Sequence, residues 1–163
     1  MDRSVVTGLN VFIDGYGNLG IAESFKSPAI KQKKLTQNTP AGERSIAYGA
    51  LGSLDTEVKF KSLPKAIFSE IAKLDNAKII LKKAIKTGST TEALVYTCTG
   101  AIDLEYGEAK EGEYLDVTVT QKGLKKYIHE HGSKVVVKID HENIIAEVNG
   151  TDLLAETRKI IGA

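Results

Sequence analysis

The chain has 163 residues, 42% of them hydrophobic and 26% charged, which suits one ordinary globular domain with a single core. Its 22 lysines and arginines are balanced by 21 aspartates and glutamates, so a formal net charge of +1 excludes the whole-chain basic excess of a polybasic nucleic-acid reader. The lone Cys98 cannot form an internal disulfide, no apolar run reaches the roughly 20 residues of a bilayer-spanning helix, and the first residues lack a secretory apolar stretch, so a non-membrane protein made in the cytoplasm is expected.

The charge is uneven along the chain. Residues 1–88 carry +6 and residues 89–163 carry −5, opposite biases that allow copies to meet head to tail.

Residues 9–14 form a β-rich run that ends at Gly15-Tyr16-Gly17-Asn18, and residues 19–25 return, which predicts a hairpin. Pro28 and Pro40 bracket a polar, lysine-rich stretch with neither helical nor strand periodicity, so a long loop is expected at about 31–50. Loops of that length are usually functional or ordered on binding. Val58 and Phe60 alternate with charged residues as in a half-buried strand. Pro64, Ile67, Ile71 and Leu74 then predict a short amphipathic helix over 64–74.

From Lys78 onward there is no proline, and three long β runs are expected, at 78–86, 92–106 and 113–127. In the second, Leu94, Tyr96, Cys98, Ile102 and Leu104 form an apolar face, opposite Thr97, Thr99, Asp103 and Glu105 among others. In the third, Leu115, Val117 and Val119 oppose Asp116, Thr118 and Thr120. Shorter strands are expected at 134–140 and 144–148. A helix over about 151–161 follows, with Thr151 as its N-cap and Gly162 as its stop. The expected fold is mainly β (α+β), a single domain over 1–163 built as an antiparallel β-barrel or sandwich with two short helices.

Gly15-Tyr16-Gly17-Asn18-Leu19-Gly20 matches the spacing of a dinucleotide-binding turn after a strand. Such a turn must open a helix, whereas residues 21–28 alternate and stop at proline, so hairpin glycines are the better account. His129 and His131 share a face if they lie on a strand, and His141 has acidic neighbours. Without a cysteine or a spaced carboxylate partner, these histidines are expected to be exposed turn residues and not metal ligands. Cys98 on an apolar face reads as an inert buried thiol, and Asp103, Glu105 and Asp116 read as solvated carboxylates. No catalytic, metal or cofactor site is expected.

Three segments carry a resemblance. They are Asn10-Val11-Phe12-Ile13-Asp14-Gly15 with Gly20; Gly100-Ala101-Ile102 with the turn from Gly107 to Glu113; and the ending Ile139-Asp140, Glu142-Asn143, Val148-Asn149-Gly150-Thr151-Asp152-Leu153-Leu154-Ala155, Arg158 and Gly162. In order and spacing they resemble the major tail tube proteins of contractile-tailed bacteriophages and the inner tubes of R-type tailocins. Residues 9–30 and 94–163 carry the likeness, and residues 35–90 carry little of it.

The resemblance implies a non-enzymatic subunit that forms hexameric rings, stacked into a hollow tube inside a contractile sheath. Its partners would be itself, the tail sheath protein, the baseplate and tail terminator proteins, and double-stranded DNA passing without specific binding. The place would be the virion tail, assembled in the host cytoplasm. A DNA-free tailocin tube is the near alternative, and a ligand-binding β-barrel is the alternative of another class. DNA binds cationic surfaces strongly, so a lumen made for sliding should favour hydroxyls and carboxylates. On that ground Thr97, Thr99, Asp103, Glu105, Asp116, Thr118 and Thr120 are the candidate lumen-facing residues. Lys33, Lys34, Gln37, Asn38, Gly42, Glu43 and Arg44 are the candidates for reaching a neighbouring subunit or ring.

Overall fold

The computed structural model describes residues 3–13, 17–20 and 22–162. Its elements, in chain order, begin with β1 (Ser4–Ile13), β2 (Gly17–Gly20), β3 (Ala22–Lys26), β4 (Gln32–Thr39), β5 (Gly42–Leu51) and β6 (Thr56–Phe60). A short helix α1 (Ile67–Ile71) and a 3₁₀ turn, Leu74–Asn76, lead to β7 (Lys78–Thr87), β8 (Thr90–Thr99), β9 (Ile102–Tyr106) and β10 (Val117–Gln121). The chain closes with β11 (Lys126–His131), β12 (Lys134–Asp140), β13 (Ile145–Val148), β14 (Thr151–Asp152) and α2 (Ala155–Ile161).

All pairings are antiparallel. Eight strands form one sheet in the order β14-β13-β12-β11-β8-β7-β1-β2, four form a second in the order β3-β6-β10-β9, and β4 and β5 pair only with each other. Period-2 alternation turns one side of each sheet inward. From the larger sheet Val11, Ile79, Leu81, Tyr96, Cys98 and Tyr127 are buried, and from the smaller one Val58, Phe60, Ile102, Val117 and Val119. These belong to one continuous core, in which each large apolar side chain contributes about 1.5–3 kcal/mol of transfer free energy. Phe25 meets Tyr96 edge-on across the two layers, with ring centroids 6.4 Å apart.

The expected long strands do not stay in one sheet. The run 92–106 divides into β8 and β9 at Gly100-Ala101, and the run 113–127 begins only at Val117, leaving Leu115 in an exposed loop, and divides into β10 and β11 across residues 122–125. The returning run 19–25 divides likewise into β2 and β3. Each run therefore turns a corner and supplies a strand to both layers, as strands do where two sheets share their connections. Gly100 sits at one such corner: its N–H donates to the Ala77 carbonyl at 2.9 Å, and a Cβ there would lie 3.2 Å from Leu124 Cδ2. The barrel half of the expectation is thereby corrected. Both sheets stay open, the larger ending in β14 and β2 and the smaller in β3 and β9, so the architecture is a two-layer sandwich.

The expected loop at 31–50 is a second correction, because residues 32–51 form the β4–β5 hairpin. Neither face of it is buried within the subunit, so no hydrophobic alternation exists for a sequence reading to detect. The hairpin turns between Thr39 and Gly42, where the Thr39 hydroxyl donates to the Gly42 carbonyl at 2.8 Å.

The helices are shorter than expected. In α1, Glu70 is fully buried; its Oε1 accepts from Lys73 Nζ at 2.7 Å and its Oε2 from the Lys78 N–H at 3.1 Å, which ties the helix to the start of β7. At the C-terminus Thr151 belongs to β14 and does not cap α2, whose N-cap is Leu154 with no side-chain cap. Asp152 instead fixes the entry to the helix: Oδ1 accepts the Leu154 N–H at 3.1 Å and Oδ2 accepts Arg158 Nη2 at 2.7 Å. Gly162 ends α2 in the left-handed region as expected, with φ 76°.

Candidate channel face and assembly surfaces

The outer face of the four-stranded sheet is built from alternate residues whose neighbours point into the core. Thr118 stands opposite Glu105 on one side and Lys59 on the other, and Thr120 stands between Asp103 and Glu57. Ser24 opposes Lys59 and Lys26 opposes Glu57 at the far edge. No apolar side chain takes part in this face. On the β9–β10 half every outward residue is a hydroxyl or a carboxylate, and across these four strands the carboxylates Glu57, Asp103 and Glu105 outnumber Lys26 and Lys59.

Asp116, just before β10, accepts from Lys61 Nζ at 2.7 Å, and Glu23 lies 3.6 Å from the same ammonium. The Asp116 hydrogen bond raises the Lys61 pKa, so this rim position is a neutralised ion pair and not a free acid.

Thr97 and Thr99 lie elsewhere. They are on the outer face of the eight-stranded sheet, where Thr97 sits between Ile80 and Ile128 and Thr99 between Lys78 and Lys126. That face mixes half-buried apolar residues with lysines, and Lys82 Nζ stands 4.6 Å over the Phe12 ring. The seven candidates thus fall on opposite sides of the sandwich. Asp103, Glu105, Thr118 and Thr120 come together with Asp116 at their edge, whereas Thr97 and Thr99 do not join them. Sequence alternation showed each outer face but could not show that the strands change sheet between residues 99 and 102.

The candidate assembly residues all lie on the β4–β5 arm. Leu35 opposes Ile46, Gln37 opposes Arg44 and Asn38 opposes Glu43. Lys33 occupies the bulge near the base, next to Lys34. The arm also carries apolar residues that the sequence reading passed over, with Leu35 60% and Tyr48 52% exposed, although its base packs on the subunit through Leu51.

The other candidate chemistries are resolved as follows. Gly17 and Gly20 lie in β2, paired to β1, and strand β3 follows where a nucleotide-binding turn needs a helix; Asp14, Gly15 and Tyr16 lie outside the described residues. The expectation that His129 is an exposed turn residue is corrected. It lies in β11, stacked on Tyr96 with centroids 4.5 Å apart, and its Nε2 is buried without a hydrogen-bond partner. Burial, and then the positive neighbours His131 and Lys83, lower its pKa. His131 is also in β11 and contacts Glu92, and His141 donates its backbone N–H to the Lys125 carbonyl at 3.0 Å. Among the described residues no three His, Cys, Asp or Glu side chains gather as a metal site. Cys98 is fully buried, and burial pushes its thiol up to about 12.

Known proteins resemble the chain at both the sequence and the fold level. The Tail tube protein of Escherichia phage P2 is 28% identical over 164 residues, covering 94% of each chain. A chain of the sheath/tube terminator of an extracellular contractile injection system (PVC, extended state) superposes with a TM-score of 0.55 at 12% identity, covering 77% of this chain and 95% of that one. A chain of the corresponding sheath-tube complex gives 0.53 at 11% identity, covering 75% and 87%. The tube terminating cap of the anti-feeding prophage gives 0.51 at 11% identity, covering 71% and 83%. These likenesses at low identity show a shared fold. The model of the family described as Phage tail tube protein FII matches residues 3–162, so the chain belongs to that family of structural, non-enzymatic phage tail tube proteins.

Proposed function

We propose that the subunit assembles into hexameric rings that stack into a hollow conduit for double-stranded DNA within a contractile sheath. The observation that carries this is the outer face of the four-stranded sheet, where a fully polar surface backs directly onto the core and presents Asp103, Glu105, Thr118 and Thr120 together. In this reading that face lines the channel. A wall whose β9–β10 half is all hydroxyl and carboxylate, and whose acids outnumber Lys26 and Lys59, gives a polyanion little counterion-release surface to grip.

The edges of the same sheet support ring closure. β3 and β9 each have one unpaired side, and a ring in which β3 of one copy neighbours β9 of the next removes both exposed edges at once. The β4–β5 arm, with its exposed Leu35 and Tyr48, then reaches an adjacent subunit or ring and buries that apolar surface there. The mixed face holding Thr97 and Thr99 is the outer wall, toward the sheath. The assembly belongs to the virion tail, is built in the host cytoplasm, and meets the baseplate at one end and the terminator at the other.

The ligand-binding barrel alternative is set aside, because the sheets do not close around an interior. Negative-stain electron microscopy of the purified protein at high concentration tests the proposal. Annuli or hollow tubes are the expected result, and a protein that stays monomeric even with a baseplate present contradicts it.

A further inference from the structure

The two ends of the four-stranded sheet carry opposite charge. At the end where β3 stops and β6 starts, a cavity of about 200 Å³ is lined by Lys26, Lys31 and Lys122 together with Asp55 and Glu57. Among the described residues none of these three lysines forms an ion pair. Asp55 is already engaged, its Oδ1 accepting the Ser53 hydroxyl at 3.1 Å and the Gly123 N–H at 2.8 Å. The pocket therefore holds cations in excess of its carboxylates, and the β4–β5 arm leaves from the same end.

At the other end, residues 107–116 connect β9 to β10. They carry Glu108, Glu111 and Glu113 against Lys110, while Asp116 at the base is already paired with Lys61. The loop is fixed at its base, where the Gly107 N–H donates to the Asp116 carbonyl at 2.9 Å, and it turns on the Glu113 N–H to Lys110 carbonyl bond at 3.2 Å. Every residue of it is exposed, and Tyr114 is 83% exposed. The exposed Tyr114 is of the aromatic type enriched in interfaces, and the glutamates beside it suit a polar rim that meets positive charge.

We infer that the acidic 107–116 loop of one copy seats against the Lys26–Lys31–Lys122 pocket of a second copy in the adjacent ring. The inference rests on the tube reading. It adds a second ring-to-ring contact, separate from the β4–β5 arm, and fixes the polarity of stacking. When strand ends face the neighbouring rings, every pocket along one ring meets an acidic loop, and a ring placed upside down meets like charge. Each contact is weak alone because both partners are exposed, but repetition around the ring multiplies it.

Charge reversal tests this. Lys26→Glu/Lys31→Glu/Lys122→Glu gives a pocket variant, and Glu108→Lys/Glu111→Lys/Glu113→Lys gives a loop variant, each checked for folding by circular dichroism and gel filtration. Assembly is read by sedimentation and negative-stain microscopy. The expected result is that wild-type protein forms tubes, neither variant does so alone, and an equimolar mixture forms them again, because rings of the two variants alternate with every pocket facing an opposite charge. Added salt lengthens the lag of wild-type elongation. Variants that elongate alone like wild type, or a mixture that stays unassembled, overturn the inference and leave the tube reading standing. Wild-type protein that forms no polymer contradicts the tube reading, and the inference falls with it. The single-site pair Lys122→Glu and Glu111→Lys, at exposed positions, repeats the test should a triple variant not fold.

Discussion

Gln121 shows how one side chain holds the two layers in register. It is fully buried at the end of β10, its Nε2 donates to the Gly100 carbonyl at 3.0 Å, and its Oε1 accepts the Thr56 hydroxyl at 3.3 Å. Gln121→Leu keeps the volume but leaves a buried carbonyl and a buried hydroxyl unpaired at the corner, so a loss of about 1–3 kcal/mol is expected from urea unfolding. His129 supplies the pH dependence. Burial holds its folded pKa below the ordinary 6.5, so the unfolded chain binds the proton more readily than the folded one. The stability associated with neutral His129 is complete above the unfolded pKa and declines as pH falls through 6.5 toward the folded value. The urea midpoint should therefore drop between about pH 8 and pH 5.5, and His129→Phe, which keeps the stack on Tyr96, should flatten that slope. An unchanged slope in the variant would assign the effect to other groups.

The β4–β5 arm lies at the scale of the element. It contributes no residue to the buried core, so deleting residues 37–43 and rejoining the strands should leave the thermal midpoint within a few degrees of wild type while abolishing polymerisation. A deletion variant that still forms tubes would remove the arm from assembly. The same element marks the boundary of what the sequence could reveal. Strands backed by the core, such as β6 with buried Val58 and Phe60, were legible because one face is apolar. The arm was not, because Leu35 and Tyr48 stay exposed and back onto no core. Lengths failed for a different reason: alternation continues unbroken through Gly100 while the chain passes from one sheet to the other, and the Lys122–Lys125 break, where Leu124 falls out of phase, was read through as strand. The C-terminal helix was legible in its stop at Gly162 but not in its start, because Thr151 and Asp152, which read as cap and first turn, pair instead as the strand β14.

For the whole molecule, the fold class was readable from strand alternation and the family resemblance from residues 9–30 and 94–163. The division of the seven channel candidates between two faces emerged only with the sheet order. Asp103, Glu105, Thr118 and Thr120 form a single surface, and the channel reading rests on its charge. Tubes built from Thr118→Lys/Glu105→Lys protein should retain double-stranded DNA in a low-salt filter assay in which wild-type tubes release it. A cryo-electron microscopy reconstruction of tubes grown from the wild-type protein tests the central claim most directly. The expected map has six subunits per ring, β3 beside β9 of the neighbouring copy, and the Asp103–Thr120 face on the channel. A map with that face turned outward, or with the eight-stranded sheet lining the channel, would contradict it.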